Sequence, residues 1–458
     1  MFHKLAFSLA WMLSGYAANP TAELLSELIR VDTSNPPGNE AALDEVMAGK
    51  LRPLGFQVAI FPTPQANKAH LIARLKGDGS LRPVLIAAHA DVVGVEREKW
   101  TVDPFAGLIK GGYVWGRGAI DFKGGMAVFA EAVMRLAREK IPLKRDVIFM
   151  VEADEEAAPL NTSWLAESHW DQMDCEFALN EGGWIMKRPD GKVRYVSIST
   201  ADKISIAVVL TAHGTSTHSS MPRPDNAIFR LGKALAKLAD YDTKPQLTAS
   251  TREFFLTLAK TSEPPMSGYF LDLVNSHDPA AIAKADREIS QDVLLHAVMR
   301  NTIAPVLLSG GFRGNVIPST AQATINFRAI PGTTAEDLIA EVKKVIGDSS
   351  VDVTSPQAGA RRPTAGEASS TDTDLYRALA ASAGKVWPGV PVTPYLFPAG
   401  TDAGAWRSRG VPVYGIYPYP ISSDDLSRMH GNDERVPVDS LEQGTDLIYR
   451  TLVAVAAK

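Results

Sequence analysis

One stretch of the chain reads Asp146-Val147-Ile148-Phe149-Met150-Val151-Glu152-Ala153-Asp154-Glu155-Glu156. Its first half is apolar and rich in β-branched residues, which predicts a buried strand. Carboxylates gather where that hydrophobic run ends. Neighbouring carboxylates repel one another, and a divalent metal is the most economical way to neutralise them. The alternative is a solvated loop after a strand, which is common for acidic pairs. Other metal-binding residue types along the chain favour the metal.

Length and charge restrict the classes of protein to consider. The chain has 458 residues, which predicts two or three domains. Its net charge is −5 and it has no run of Lys or Arg, so nothing indicates a nucleic acid or an anionic membrane as partner. The single cysteine, Cys175, cannot form an internal disulfide and leaves the redox compartment undecided.

The N-terminus has the pattern of a short secretory signal peptide. A cationic start at Lys4 is followed by an apolar run from Leu5 to Leu13 and by small residues up to Ala18. We therefore predict a signal peptide at residues 1–18 and a periplasmic or secreted protein. The alternative is a frayed N-terminal helix in a cytoplasmic protein. The apolar run is too short for a membrane span, and Tyr16 stands where a lipidated cysteine would be, so no stable membrane anchor is predicted.

Strand-like and helical patterns alternate along most of the chain. This alternation predicts an α/β fold with a mostly parallel sheet flanked by helices. From Lys203 onward the pattern changes to cleanly alternating strands, such as 321–328, and to a helix opened by a capping box of Thr333 and Glu336. We predict a smaller α/β sandwich at 203–357, inserted into a first domain formed by 19–202 and 358–458.

Several metal-binding residue types lie at predicted strand ends or in loops. His89 and Asp91 follow a buried strand and point to the same side, so the carboxylate could orient a metal-bound imidazole. Asp121 lies in a glycine-rich turn before a helix, where an N-cap is an equally good local interpretation. Glu181 follows another strand, and His430 lies in a loop. Each signal alone is weak, but ligands gathered at the carboxyl ends of parallel strands are typical of an open α/β site.

Taken in order, these residues and their surrounding motifs resemble the M20 family of di-zinc peptidases and amidohydrolases, and its aminoacylase-like and carboxypeptidase-like branch most. The motifs are Asp32-Thr33-Ser34-Asn35-Pro36-Pro37-Gly38-Asn39-Glu40, His89-x-Asp91, Gly118-x-x-Asp121-x-Lys123-Gly124-Gly125, Asp154-Glu155-Glu156, Gly214-x-x-x-His218-Ser219-Ser220-x-Pro222 and His430-Gly431-Asn432-Asp433-Glu434-Arg435. The resemblance covers nearly the whole chain.

The resemblance implies a role for each of these residues. One zinc would take His89, Asp121 and Glu181, and the other would take Asp121, Glu156 and His430, with Co²⁺ or Mn²⁺ as substitutes. Asp91 would orient His89, and Glu155 would be the general base. His218 would bind the oxyanion from the inserted domain. The residues implied to hold the substrate are Arg328, Asn315, Gly400 and Thr401. The family also implies a homodimer through the inserted lid domain.

Two departures from the family pattern affect the pocket. Ala157-Ala158-Pro159-Leu160-Asn161 follows the acidic pair where glycines are usual, and Asn326 replaces an aspartate two residues before Arg328.

The activity that the resemblance implies is hydrolysis of an N-acyl amino acid or of a C-terminal peptide bond, which releases an amino acid with a free carboxylate. The sequence does not separate a carboxypeptidase from an aminoacylase. An aminopeptidase or dipeptidase of the same family would also be compatible with these residues. A catalytically silent relative that only binds metal or peptide is disfavoured, because Glu155 is retained although metal binding does not need it.

Overall fold

A computed structural model describes residues 19–359 and 368–458. The predicted signal peptide at 1–18 therefore lies outside the described residues. Within the described ranges, no helix combines the length and the apolar character that crossing a membrane requires.

The strands of the described chain are β1 (Gln57–Pro62), β2 (Ala69–Leu75), β3 (Val84–His89), β4 (Leu108–Lys110), β5 (Tyr113–Trp115), β6 (Val147–Glu152), β7 (Phe177–Lys187), β8 (Val193–Asp202), β9 (Ile204–His213), β10 (Thr217–His218), β11 (Thr302–Gly310), β12 (Val316–Ile317), β13 (Thr320–Ala329), β14 (Val351–Thr354), β15 (Val392–Phe397), β16 (Val413–Ile421) and β17 (Arg435–Pro437).

The α-helices are α1 (Pro20–Ile29), α2 (Glu40–Leu51), α3 (Lys123–Arg138), α4 (Thr162–Ser168), α5 (Trp170–Met173), α6 (Ala227–Ala239), α7 (Ala249–Thr261), α8 (Met266–Asn275), α9 (Pro279–Ile289), α10 (Val293–Val298), α11 (Ala335–Ile346), α12 (Asp374–Val386), α13 (Gly404–Arg407), α14 (Ser423–Leu426) and α15 (Val438–Ala456).

An eight-stranded sheet forms the centre of the protein, in the order β1-β2-β6-β3-β7-β16-β8-β15. The pairs β3–β6, β3–β7, β7–β16 and β8–β15 are parallel. Every residue of β6 is buried, as its apolar sequence predicts for a strand covered on both faces. Helices such as α3 and α15 pack beside this sheet. The predicted α/β class with a mostly parallel sheet is confirmed.

A second, four-stranded antiparallel sheet has the order β11-β13-β9-β14. In β13, buried and more exposed residues alternate, with Ala321, Ala323 and Ile325 on the buried side. Apolar residues of α6 and α11, including Leu231 and Leu338, join them in a separate core. This layered unit is the smaller α/β unit that the sequence predicts.

The helices between α6 and β11 do not belong to that small core. Phe254 and Phe255 of α7 join the core of the large sheet, and the ring of Phe254 packs against Tyr195 and Tyr395. The boundary predicted at 203–357 is therefore corrected for α7–α10, which pack with the large unit. Of these helices, α7 packs on β15 and β8 of the large sheet, α8 packs on α7, and α9 packs on α8.

Candidate metal centre and active site

The central parallel strands bring their acidic and imidazole side chains to one edge of the sheet. His89 is the last residue of β3, and its register partner Glu152 is the last residue of β6. Asp121 directly precedes the helix-capping Phe122 of α3. Glu181 lies inside β7, because this strand is longer than the sequence predicts. The pairing of β7 with β16 shifts register near this residue. The carboxyl ends of parallel strands meet at this edge, which places these groups together.

The first group of side chains is buried. Nε2 of His89 lies 3.1 Å from Oδ1 of Asp121 and 3.6 Å from Oε2 of Glu181. Each residue offers one ligand atom, and these three atoms lie within 4.8 Å of one another. This group is the predicted ligand set of one metal.

The second group shares Asp121 with the first. Nε2 of His430 lies 2.9 Å from Oδ2 of Asp121 and 3.0 Å from Oε1 of Glu156. The two carboxylate oxygens of Asp121 therefore face two different histidines. Glu155 joins a further group with His89 and Glu156. Asp121 is thus placed as a carboxylate that bridges two cations must be, and the carboxylate of Glu155 lies beside it.

Electrostatics indicate what these groups can hold. Burial, and then the nearby Glu181, raises the pKa of Glu155 well above its usual range, and burial raises the pKa of Glu181 to about 7. Hydrogen bonds to Asp121 and Glu156 raise the pKa of His430 to about 10. Buried carboxylates that resist ionisation become stable anions when a cation is bound. Nitrogen and oxygen donors without thiolate also suit zinc and related divalent metals. The residues present fit such ions.

Asp91 contacts His89 through an unexpected atom. Nδ1 of His89 lies 3.0 Å from the backbone oxygen of Asp91 but 3.7 Å from its carboxylate. The carboxylate instead accepts hydrogen bonds from the backbone N–H groups of Glu155 and Glu156, at 3.1 and 3.0 Å. The main chain of Asp91 thus orients the imidazole, and its side chain holds the acidic loop.

Two residues without an assigned role also contact the site. The hydroxyl of Tyr417 lies 3.0 Å from Oδ1 of Asp121 and 2.8 Å from Oε2 of Glu181. Glu434 accepts hydrogen bonds from the backbone N–H groups of Ile120 and Asp121, at 2.7 and 3.1 Å. Glu434 belongs to the same sequence motif as His430, so the motif could have indicated that Glu434 lies near the site. Tyr417 lies in the buried strand β16, and no motif around it in the sequence indicates a role in the site.

His218 and Asn315 lie far from Arg328 along the small unit. His218 pairs with Val316 in the two-stranded antiparallel sheet of β10 and β12, is exposed, and shares a 2.8 Å hydrogen bond with Ser220. Asn315 accepts a hydrogen bond from the backbone of Ser219. Arg328 lies near the opposite end of β13, which at about 3.3 Å per residue is roughly 25 Å or more away. The structure therefore does not bring Asn315 and Arg328 together.

Arg328, Gly400 and Thr401 line one cavity of about 340 Å³ between the large and small units. Nη1 of Arg328 lies 3.6 Å from the position that a Cβ on Gly400 would occupy. Lys203 lines the same cavity, and its pKa falls to about 7 because of burial and the positive charges of Arg328 and Arg300. The described residues give Arg328 no carboxylate within ion-pair distance. Asp202 also lines the cavity, but its carboxylate is paired with Arg407 at 2.7 Å, so within the described part of the chain the guanidinium of Arg328 has no ion-pair partner of its own.

Comparison with known proteins gives consistent matches. The model of a family described as peptidase family M20/M25/M40 matches residues 85–454. Probable carboxypeptidase S-like 2 of Dictyostelium discoideum is 32% identical over 390 residues, which cover 83% of this chain and 73% of that protein. The human N-fatty-acyl-amino acid synthase/hydrolase PM20D1 is 29% identical over 392 residues, which cover 84% of this chain and 76% of that protein.

The fold is similar to that of a solved structure from Sulfolobus solfataricus, an M20 family metallo-carboxypeptidase named Sso-CP2. The TM-score is 0.69 at 18% sequence identity, and the match covers 95% of this chain and 99% of that one.

Proposed function

Because the chain belongs to peptidase family M20/M25/M40, we propose that it is a metal-dependent hydrolase of N-acyl amino acids or C-terminal peptide bonds, which releases an amino acid with a free α-carboxylate. The observation that carries this proposal is the pair of oxygens of Asp121, each directed at a different histidine, with Glu155 beside them. A binding protein would need the cation ligands but not the additional carboxylate.

The ligand sets are those of the two groups described above. His89, Asp121 and Glu181 would hold one divalent ion, and Asp121, Glu156 and His430 the other. Zinc is the proposed metal, with Co²⁺ or Mn²⁺ as substitutes. When bound, such ions polarise a scissile carbonyl and acidify a water molecule.

The proton transfers are assigned to Glu155. Its carboxylate would accept a proton from the attacking water and then deliver it to the amide nitrogen of the departing amino acid. The carboxylate of Asp91 fixes the backbone of Glu155 by a 3.1 Å hydrogen bond, so the base is held by its main chain. The Tyr417 hydroxyl holds the carboxylates of Asp121 and Glu181 in their relative positions.

The cavity at Arg328 provides the proposed specificity for a carboxylate. A guanidinium binds a carboxylate through two parallel hydrogen bonds. The carboxylate of Asp202 in the same cavity is already paired with Arg407, which leaves Arg328 available to a substrate carboxylate. Thr401 and Gly400 form the wall opposite, where the hydroxyl of Thr401 donates to Asp202 at 2.6 Å. The names of the two relatives, a probable carboxypeptidase S-like protein and an N-fatty-acyl-amino acid synthase/hydrolase, support the proposed substrate class.

Matched substrates test this specificity. The free acid of an N-acyl amino acid should exceed its methyl ester or amide in kcat/KM by roughly 30-fold to 1000-fold, as expected for a charge-assisted hydrogen bond of about 2 to 4 kcal/mol. Arg328→Ala should remove the preference by slowing only the free acid. Arg230→Ala is the control, because this arginine of α6 bonds the backbone oxygen of His213 instead. An amide turned over as fast as the acid by the unmodified enzyme would contradict the proposal.

His218 is proposed to reach the reacting carbonyl after closure of the small unit or from a second copy of the chain. The outer edge of β11 is unpaired within the described chain and exposes Val306, Leu307 and Leu308. A strand edge of this kind pairs readily with another strand. We therefore include a homodimer through the small unit in the proposal. Export to the periplasm or the exterior is proposed from the sequence of residues 1–18 alone.

A further inference from the structure

A connected set of buried polar side chains lies behind the acidic loop. The ammonium of Lys68 forms an ion pair with Asp154 and donates a 2.8 Å hydrogen bond to Oδ1 of Asn35. The amide nitrogen of Asn35 donates to Oδ2 of Asp91 and to Oδ1 of Asp154, each at 2.8 Å. Both N–H groups of this amide and its oxygen are therefore engaged, and its orientation is fixed.

The two carboxylates in this set hold the acidic loop at two places. Asp91 accepts the backbone N–H groups of Glu155 and Glu156. Asp154 accepts the backbone N–H of Leu160 at 2.7 Å, and its own backbone has a φ of 61°, which an aspartate adopts at a conformational cost. The loop from Asp154 to Leu160 thus depends on two buried carboxylates, that of Asp91 and that of its own first residue, Asp154.

Two buried carboxylates in contact with one amide need a positive charge. The Lys68 side chain is 3% exposed and that of Asp154 is 1% exposed, so water does little to screen their interaction. Lys68 is the cation that contacts both Asn35 and Asp154, whereas the other carboxylate of the set, that of Asp91, lies 3.7 Å from the imidazole of His89. Removing its charge leaves Asp154 uncompensated, which favours movement of the carboxylates and of the loop that they hold.

We propose that Lys68 is a positioning residue for the hydrolytic reaction. It acts through Asn35 and the two carboxylates of Asp91 and Asp154 to hold the carboxylate of Glu155 in its productive place. This inference rests on the proposed function of Glu155 as the base. It adds a residue that lies 87 positions before Glu155 in the sequence and whose ammonium contacts Asn35 and Asp154. Lys68 also borders the start of α2, since a Cβ on Gly38 would lie 2.6 Å from its Cε.

The test is Lys68→Met, which keeps the length of the side chain and removes its charge. Displacement of a reacting group by a fraction of an ångström to one ångström lowers a rate by roughly 10-fold to 100-fold. We expect kcat to fall by this factor, KM to change less than about 3-fold, and metal content to stay at the wild-type value. Ethylammonium should restore part of kcat to Lys68→Ala, and NaCl at equal ionic strength should not.

Arg145→Met is the matched control. Arg145 is also a buried cation in an ion pair, with Glu176, and it flanks the amino end of β6 whereas Asp154 follows the carboxyl end. The Arg145→Met variant should have a lower free energy of unfolding than the wild type and the same kcat. An equal loss of kcat in Arg145→Met, or a wild-type kcat in folded Lys68→Met, overturns the proposal. If Lys68→Met does not fold, Asn35→Ala tests the proposal instead. This variant retains the ion pair of Lys68 with Asp154 but removes the hydrogen bond to Asp91, and it should show the same loss of kcat.

A parallel Glu155→Gln variant separates this inference from the proposed function. If Glu155→Gln retains kcat, the assignment of the base fails. If Glu155→Gln is inactive while both Lys68→Met and Asn35→Ala retain kcat, the base stands and the positioning role of Lys68 fails.

Discussion

The stability of the protein should depend on pH through a buried carboxyl group at the start of α2. Glu40 and Asp44 lie one turn apart on this helix, and both are fully buried. The two carboxylate oxygens of Asp44 have no hydrogen-bond partner among the described residues. Burial, and then the negative charge of Asp91, raises the pKa of Glu40 from 4.5 to about 7. We predict that Glu40→Gln changes the pH dependence of stability.

The folded protein holds the proton of Glu40 more tightly than the unfolded chain does. The contribution of this group to the free energy of unfolding is therefore fully present below pH 4.5. That contribution is lost as the pH rises to about 7, and the loss amounts to about 3 kcal/mol. Glutamine cannot ionise, so Glu40→Gln should gain about 3 kcal/mol relative to the wild type between these pH values.

Urea titrations followed by tryptophan fluorescence at several pH values measure this difference. The difference between the free energies of unfolding of the two proteins reports the ionisation of Glu40 together with its effect on Asp44, whose pKa burial and the charge of Glu40 both raise. Glu45→Gln is the control, since its side chain is on the same helix but is 68% exposed. Parallel curves for Glu40→Gln and the wild type between pH 4.5 and 8 would refute the argument from burial.

Three further predictions concern the active site and the assembly. Glu155→Ala should keep the metal content, which should approach two ions per chain by elemental analysis, while kcat falls by roughly 10²-fold to 10⁴-fold. Glu156→Ala should instead lose metal, and exchanged phenotypes would reverse the two assignments. His218→Ala should lower kcat more than it raises KM, because an oxyanion contact strengthens in the transition state, and an effect on KM alone would contradict this role. Leu307→Lys should shift the sedimentation coefficient towards that of a monomer, and an unchanged value would exclude the β11 edge as the interface.

Sequence reasoning succeeded where a local pattern determines the position of a side chain. The apolar runs of β3 and β6 predict buried parallel strands, and strands of that kind deliver the residues after them to one edge of a sheet. His89 and the acidic pair could therefore be expected to meet. Alternation in β13 likewise predicts which of its residues are buried.

The contacts that the sequence did not predict join segments with no periodic relation. Lys68 reaches Asp154 across 86 positions, and the hydroxyl of Tyr417 reaches Asp121 across 296 positions. Neither residue is part of a motif that names its partner. Spacing and the family resemblance both predict that the carboxylate of Asp91 orients His89, whereas in the structure the backbone oxygen of Asp91 is the nearer atom. Spacing fixes which residue is near but not which of its atoms faces the neighbour.

Smaller differences have equally local causes. The capping box of α11 is formed by Thr334 and Asp337, one position after the predicted Thr333 and Glu336. Both pairs have the same spacing and chemistry, so only the backbone conformation distinguishes them. The sequence places the helices α7–α10 in the small unit because they lie between its strands along the chain. Sequence order does not determine which sheet an apolar helix packs on.

The unequal exposure of the two histidines has a consequence for how the centre is assembled. The side chain of His89 is 1% exposed, whereas that of His430 is 47% exposed. If ions bind as proposed, one held by the group of His430 would be open to solvent and to chelators, and one held by the group of His89 would be shielded from them. Loading should proceed from the inner position outward, and a chelator should remove the outer ion first. Preparations that are dialysed for different times should then differ in the fraction of singly loaded molecules, and their specific activities should differ with it.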